Sequence, residues 1–360
     1  MSLADILEWY AMGSGVLAAL HAEAFAQPWS VDGFATMLRS PGVVALLAWP
    51  RGAGTMDEPR SPTQIAGSQR FAAIASGSSH ACGLTDDGRV YCWGQNDYSQ
   101  LADGSTTDRL TPVAASGGHS FEHISSGSAH SCGLTDEGKA YCWGDNSEGQ
   151  LGDGTLSRRS VPTPVAGDQV FRQISAGYGY TCATTTTYAA YCWGYNAGGQ
   201  LGDGTTSNRN VPTRVAAGLD IAFIQAGANF TCALTAGGEA HCWGKNADGQ
   251  LGDGSTTPSI TPVAVTGGLT FRSIRLGVDH SCALTTDGRT YCWGRNHGLL
   301  GNGSTANSSS PVAVSGGHTF RTIGVGRQHS CGVTPDGDAY CWGANSNGQL
   351  GDGTTTTRSV

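Results

Sequence analysis

The chain has 360 residues, of which 55 are Gly and 13% are charged, and its formal net charge is −8. That glycine content excludes a bundle of long helices, while nine Trp and regularly spaced Val, Leu and Ile exclude a simple disordered tract. The acidic balance argues against nucleic acid or an anionic membrane as the main partner. No apolar run reaches the length of a transmembrane helix, so membrane insertion is not expected.

Residues 1–50 read as a helical segment distinct from the rest, with no Cys. Val16, Leu17 and Leu20, with Phe25 further on, suggest an apolar helical face that Pro28 ends. Ser30 is placed to cap a second helix carrying Phe34, Met37 and Leu38 at i, i+3, i+4. Ser40-Pro41-Gly42 stops that helix, and Val43–Ala48 reads as a strand. The apolar stretch around Val16–Ala26 follows Asp5 and Glu8 with no Lys or Arg ahead of it, which makes a poor secretory signal. Leu17 to Ala48, LAALHAEAFAQPWSVDGFATMLRSPGVVALLA, resembles the opening of bacterial ribosomal-protein alanine N-acetyltransferases. The resemblance stops there. The Gly-rich loop that would cradle acetyl-CoA does not follow, so the segment reads as a remnant without its cofactor site. Residues 51–61, rich in Gly, Pro and Ser, read as a linker.

From Pro62 onward the sequence repeats. Units run over 62–111, 112–161, 162–211, 212–261, 262–310 and 311–360, and a period of about 50 residues signals a propeller or an array. In the second unit, short strands are expected at Pro112–Ala114, Phe121–Ile124, His130–Thr135 and Lys139–Gly144, followed by a long connection over Asp145–Val161. Four short antiparallel strands per unit suit one propeller blade. The fold class expected is therefore all-β: a β-propeller of six four-stranded blades, or a seven-bladed one lacking its last blade, with a short helical N-terminal extension.

The hairpin register follows from side-chain size. With Asp136-Glu137-Gly138 as the loop, Gly133 faces Tyr141, Ser131 faces Trp143 and Cys132 faces Cys142. The other units set Gly83, Ala183, Ala233, Ala283 and Gly332 opposite Tyr or His, and Ala81, Thr181, Thr231, Ser281 and Ser330 opposite Trp. A large ring always meets a small residue, as cross-strand neighbours sharing one face require. Unit 3 departs in its loop, where Thr186-Thr187-Tyr188 replaces the Asp-Gly pattern.

The same register sets all twelve Cys opposite one another: Cys82/Cys92, Cys132/Cys142, Cys182/Cys192, Cys232/Cys242, Cys282/Cys292 and Cys331/Cys341. Disulfides in an oxidising compartment and paired buried thiols in a reducing one both fit this spacing. Zinc fits poorly. Its usual short Cys-x-x-Cys spacing is absent, and the recurring His80, His130, His280 and His329 become Tyr180 and Phe230 in units 3 and 4. The pairing favours an extracellular or periplasmic setting, although no convincing signal peptide is present.

HSCGLTDEGKAYCWGDNSEGQLGDGT, from His130 to Thr155, resembles the repeat of the regulator of chromosome condensation family. All six units match the pattern, and the paired Cys and the GDGT variant look like its bacterial branch. The resemblance implies a β-propeller that binds other proteins. Family members include the exchange factor for the small GTPase Ran and a bacterial propeller-type inhibitor of β-lactamases. No inserted wedge of the kind an exchange factor uses is present.

The strand order places the second-to-third loop and the long exit connection at one end of the blade, where long connections concentrate binding residues. Asn146, Gly149, Gln150, Leu151, Gly152 and Gly154 recur in nearly every unit and read as framework. Asp153 in GDG lacks the alternating carboxylates of a calcium loop. Recognition is expected from positions that differ between units at that end, which nominates Tyr178, Tyr195, Asn229, Lys245, Arg295 and Arg327 as binding residues. Aromatics beside cations make a plausible hot spot. No catalytic constellation, cofactor site or metal site is apparent. The expected function is a non-enzymatic, monomeric propeller scaffold binding a protein partner. An exchange-factor-like regulator of a small GTPase and a structural module of a larger exported protein are the alternatives.

Overall fold

A computed structural model describes residues 64–360 apart from residue 217. The expected N-terminal helices, the acetyltransferase-like stretch and the linker lie outside the described residues.

The repeats form a six-bladed β-propeller. Blade 1 holds β1 (Ala73–Ser76), β2 (His80–Leu84), β3 (Val90–Gly94) and β4 (Arg109–Ala114). Blade 2 holds β5 (His123–Ser126), β6 (His130–Leu134), β7 (Ala140–Gly144) and β8 (Arg159–Pro164). Blade 3 holds β9 (Phe171–Ala176), β10 (Tyr180–Thr185), β11 (Ala190–Gly194) and β12 (Arg209–Arg214). Blade 4 holds β13 (Ile221–Ala226), β14 (Phe230–Thr235), β15 (Ala240–Gly244) and β16 (Ser259–Ala264). Blade 5 holds β17 (Phe271–Leu276), β18 (His280–Thr285), β19 (Thr290–Gly294) and β20 (Ser308–Ala313). Blade 6 holds β21 (Thr322–Val325), β22 (His329–Val333) and β23 (Ala339–Gly343), with a single bridge from Gly343 to Arg358 where the other blades start their fourth strand.

The Pro-led strand falls elsewhere than the sequence pattern suggests. It begins earlier, at Arg109 rather than Pro112, and pairs with β3 as the outermost strand of the preceding repeat's sheet. The sheet is thus offset by one strand from the sequence repeat. Chain proximity cannot reveal this, because the same strand is adjacent in sequence to both sheets.

The hairpin register is as expected. Ser131 faces Trp143, Cys132 faces Cys142 and Gly133 faces Tyr141, with the same pairing in every blade. The facing Cys are all oxidised. Cys82 is bonded to Cys92, Cys132 to Cys142 and Cys182 to Cys192. Cys232 is bonded to Cys242, Cys282 to Cys292 and Cys331 to Cys341. In each pair the Cα atoms are 4.1 Å apart, so of the two states the spacing allows, paired thiols and disulfides, the structure holds the disulfide. Each bond staples the two middle strands of one blade, and none joins one blade to another.

The small residue opposite Tyr has a further reason. Phe121 lies over Gly133, and a Cβ there would meet the ring at 2.6 Å. The ring that Gly133 makes room for comes from the first part of its own blade. In unit 3 the turn keeps its shape without Gly: Tyr188 takes a φ of 64°, where unit 2 has Gly138 at 73°. The guanidinium of Arg172 covers its ring at 5.0 Å.

The core lies in the seams between blades. Trp143, fully buried, packs with Phe121 and Ile124 against Leu84, Val90, Leu101 and the Cys82–Cys92 pair of blade 1. Leu151 and Trp193, Leu201 and Trp243, Leu251 and Trp293, and Leu300 and Trp342 repeat the arrangement. Each indole also donates to a main-chain carbonyl of the blade before it: Trp143 to Gln100 O at 3.0 Å, and Trp342 to Leu299 O at 3.0 Å. Among the described residues no such cluster joins blade 6 to blade 1. Cys331 and Val333 form a small group of their own, and Tyr340 is 39% exposed.

Candidate binding face

The exit connection of each blade is held by one Asn. Asn146 Oδ1 accepts from Leu151 N at 3.0 Å, and its Nδ2 donates to Asp153 Oδ1, Thr155 O and Ser157 O, each at 3.1 Å. Asp153 takes Arg159 at 2.6 Å and the Thr155 hydroxyl at 2.8 Å. Burial opposes ionisation of Asp153, yet the hydrogen bonds from Thr155 and from Arg159 hold its carboxyl below the usual range. Asp103 and Asp203 are held in the same way. The carboxylates of GDG are thus spent on the loop's own donors. Among the described residues no group of His, Cys, Asp and Glu is arranged to hold a metal.

The Cys residues are set back from this chemistry. Cys192, Cys242 and Cys292 are fully buried, and Cys341 is half-buried at the less covered blade 6. Each is bonded to its hairpin partner, and among the described residues no Cys is free to act as a nucleophile or a metal ligand.

A second device brings the variable positions together. The residue after Trp-Gly donates its main-chain N–H to the carbonyl at the end of the second-to-third loop: Asp145 to Ala129, Tyr195 to Gly179 and Lys245 to Asn229, each at 2.9 Å, and Arg295 to Asp279 at 2.8 Å. Both variable sites therefore share one end of the blade, as strand order implies. In blades 2 and 3 the first residue of the loop touches the next blade: Ser128 N donates to Gly177 O and Tyr178 N to Gly227 O, both at 3.2 Å.

The nominated residues do not all meet. Tyr178 is 57% exposed, while Tyr195, Asn229 and Lys245 are half-buried on blades 3 and 4. Lys245 bridges to Asp279 of blade 5 at 2.8 Å, and Arg295 approaches the other oxygen of that carboxylate at 3.5 Å. Arg327 is exposed further round, on blade 6. Asp279 belongs with this set, although sequence reasoning does not nominate it. It differs between units as its partners do, but its role depends on a contact across 34 residues, Lys245 to Asp279.

The framework Gln is also affected by the variable residue. Gln150 Nε2 donates to Asp145 at 2.9 Å. Where Tyr195 and Lys245 replace that Asp, the amide nitrogens of Gln200 and Gln250 are buried without a partner. The repeated glutamines are therefore not equivalent.

The aligned His, Tyr and Phe side chains are structural. His80, His130, Tyr180, Phe230 and His280 are all fully or almost fully buried at the seams. His130 Nε2 lies 2.9 Å from Thr181 Oγ1, which donates to Gln150 O at 2.9 Å, so the ring nitrogen is the donor of the pair. Burial pushes the imidazoles down, His80 to about 3 and His130 and His280 to about 4.

Repeat profiles described as regulator of chromosome condensation (RCC1) repeat match this chain in two forms. The longer covers residues 87–134, 137–184, 189–234, 237–284 and 287–333. The shorter covers 71–100, 121–150, 221–250, 271–298 and 320–349. The human E3 ubiquitin-protein ligase HERC2 is 49% identical over 57 residues, a stretch that spans 15% of this chain and 1% of that protein. Human WBSCR16 superposes with a TM-score of 0.75 at 22% identity, covering 88% of this chain and 87% of that one. Prp20p from Saccharomyces cerevisiae superposes with a TM-score of 0.75 at 23% identity, covering 87% and 84%. At such identities the likeness establishes the fold. The longer profile matches well over half of the sequence, and the chain belongs to the regulator of chromosome condensation (RCC1) repeat family.

Proposed function

We propose that residues 62–360 act as a non-enzymatic protein-binding scaffold, and that the partner docks on the loop face around blades 3 to 5. The observation that carries this reading is the pairing of the two variable positions by one main-chain hydrogen bond in every blade. A buried, repeated framework holds side chains that change from blade to blade, which is how a rigid scaffold displays a specific surface. Tyr178 and Tyr195 supply amphipathic area, and Lys245, Asp279 and Arg295 supply a fixed charge pattern. Arg327 adds a cation at the rim of this face. Two structures of one neighbour of this fold, yeast Prp20, support a protein partner: Prp20p is described with its binding to Gsp1p and histones, and yeast RCC1 (Prp20) with Kap60 bound. The disulfides favour an oxidising compartment, and mass spectrometry of unreduced protein checks this by counting free thiols.

The test is affinity capture with the intact chain and with a Tyr178→Ala, Tyr195→Ala, Lys245→Ala variant, partners being identified by mass spectrometry. Loss of a specific partner from the variant supports the face, and unaltered capture sinks it. A nucleotide-release assay on a panel of small GTPases runs beside it. Robust acceleration there replaces the scaffold reading with exchange activity.

A further inference from the structure

The six inner strands, β1, β5, β9, β13, β17 and β21, lie side by side along the inner edge of the propeller, each in contact with the next from β1 to β21. They contain Arg172, Arg272 and Arg275 and no Asp or Glu, in a chain whose net charge is −8. The inner strands thus carry charge of the opposite sign to the molecule as a whole.

At one aligned position, the inner strands of blades 2 and 3 reach the next blade through a serine hydroxyl that accepts. Ser125 Oγ accepts from Ala176 N at 2.9 Å, and Ser175 Oγ from Ala226 N at 3.0 Å. Gln225 follows in blade 4, with its amide 3.4 Å from Ser175 Oγ. In blade 5 the same position is Arg275, which has only donors to offer. Its Nη1 donates to Ile274 O at 3.0 Å, and the guanidinium lies 5.7 Å from the centre of the Phe223 ring. Among the described residues no carboxylate pairs with it. Burial pushes it down to about 10. On the same strand, Arg272 Nη2 donates to Phe320 O and Arg321 O of blade 6 at 2.8 and 2.9 Å, while Arg272 Nε is buried without a partner, as is Arg321 Nε.

Arg275 is partly buried, and a guanidinium partly withdrawn from water with most of its N–H groups unused by the protein gains from an anion that completes it. The planar fork of Arg suits an oxyanion that accepts two parallel hydrogen bonds. We propose that Arg275, on the inner strand of blade 5, anchors an oxyanion site taking a phosphate or carboxylate group, with Arg272 on the same strand and Arg321 just before β21 adding positive potential. The group comes either from a free anion or from an acidic side chain of a docked partner. The site is separate from the loop face and does not depend on it.

The experiment is thermal unfolding and calorimetric titration of the full chain with inorganic phosphate and, separately, with a short glutamate-rich peptide, at fixed ionic strength. Arg275→Gln is compared with the wild type. Without added phosphate the variant is expected to be at least as stable as the wild type, because an unpaired cation has been removed. With phosphate the order reverses, and the variant binds about tenfold more weakly, the loss expected for a charge-assisted hydrogen bond. Binding of peptide and not phosphate, abolished by Arg275→Gln, assigns the same site to a partner's carboxylate. A wild type indifferent to both probes, or a variant that binds them equally well, overturns the proposal. Should Arg275→Gln not fold, Arg275→Lys keeps the charge and removes the fork, and equal affinity in that variant likewise overturns it.

Discussion

At the seam between blades 2 and 3, the side chain that crosses to the next blade is His130; between blades 4 and 5 it is Phe230, and both are 0% exposed. On the polar seam, Thr181 takes a hydrogen bond from His130 and passes one to Gln150 O. On the apolar seam, Ser281 donates to Gln250 O at 3.1 Å, and Phe230 offers it nothing. In both, the indole of the following blade also donates to that Gln carbonyl, Trp193 at 3.0 Å and Trp293 at 2.9 Å. The carbonyl is served either way. The position demands volume and dryness, and polarity is an option added to it. The recurring histidines are therefore packing residues with one satisfied nitrogen.

The largest effect separating the two kinds of seam is acid sensitivity. His80, His130 and His280 titrate at about 3 to 4 when folded and near 6.5 when unfolded. Between those values the unfolded chain binds more protons, so stability is full above about pH 6.5 and falls as pH drops toward 4. At pH 5 each histidine contributes a loss of about 2 kcal/mol. Denaturant midpoints from pH 7 to 5 are expected to fall steeply in the wild type. A variant with His80, His130 and His280 all changed to Phe is expected to lose most of that slope, and an unchanged slope would mean that groups other than these histidines set it.

Truncation of the apolar seam ranks next. Phe230→Ala removes a fully buried ring from the cluster of Leu251, Ile274, Leu276 and Trp293, with an expected loss of about 3–5 kcal/mol. Equilibrium unfolding checks it, and a loss under about 1 kcal/mol would show that the seam collapses to fill the space.

The seam between blades 3 and 4 is intermediate and gives a smaller effect. Tyr180 Oη donates to Phe230 O at 2.6 Å, accepts from Gly227 N at 2.9 Å and lies 3.0 Å from Thr231 Oγ1. Burial pushes its phenol up. Tyr180→Phe keeps the ring and removes these bonds, but Gly227 N still has Phe230 O at 3.0 Å and Thr231 still has Gln200 O at 2.8 Å. With both neighbours still partnered, the expected cost is about 1 kcal/mol, measured by the same unfolding experiment.

What the sequence reveals and what it hides follows from the range of each interaction. The facing of Cys132 with Cys142 and of Ser131 with Trp143 is legible because both strands belong to one hairpin and their side-chain sizes must match. The same holds for Cys192, Cys242, Cys292 and Cys341, each of which meets a Cys ten residues earlier in its own hairpin. Spacing sets the pairing of these sulfurs but not their oxidation, which depends on the compartment. The shared end of the variable positions is legible because strand order alone dictates it. The ownership of the Pro-led strand is not, since it is decided by pairing with β3 and not by the local pattern. The bond from His130 to Thr181 spans 51 residues and joins different sheets. Asp279 between Lys245 and Arg295 is hidden for the same reason. Arg275 is hidden differently: one Arg in a strand looks like a solvated face until the strand is known to be an inner one.

The smallest effect is the most direct trial of the comparison, because it makes one seam into the other. His130→Phe places the blade 4 residue in blade 2. Thr181 loses its hydrogen bond from Nε2 but keeps Gln150 O as acceptor, so no buried donor is stranded. The bare Nδ1 of His130, buried without a partner, is removed along with it. The lost bond and the relieved nitrogen offset one another, and the net change at pH 7 is expected to stay within about 1 kcal/mol. His130→Ala supplies the contrast, because it empties the volume both seams fill and should cost clearly more. A His130→Phe variant as unstable as His130→Ala would show that the hydrogen bond, and not the ring, holds the polar seam together.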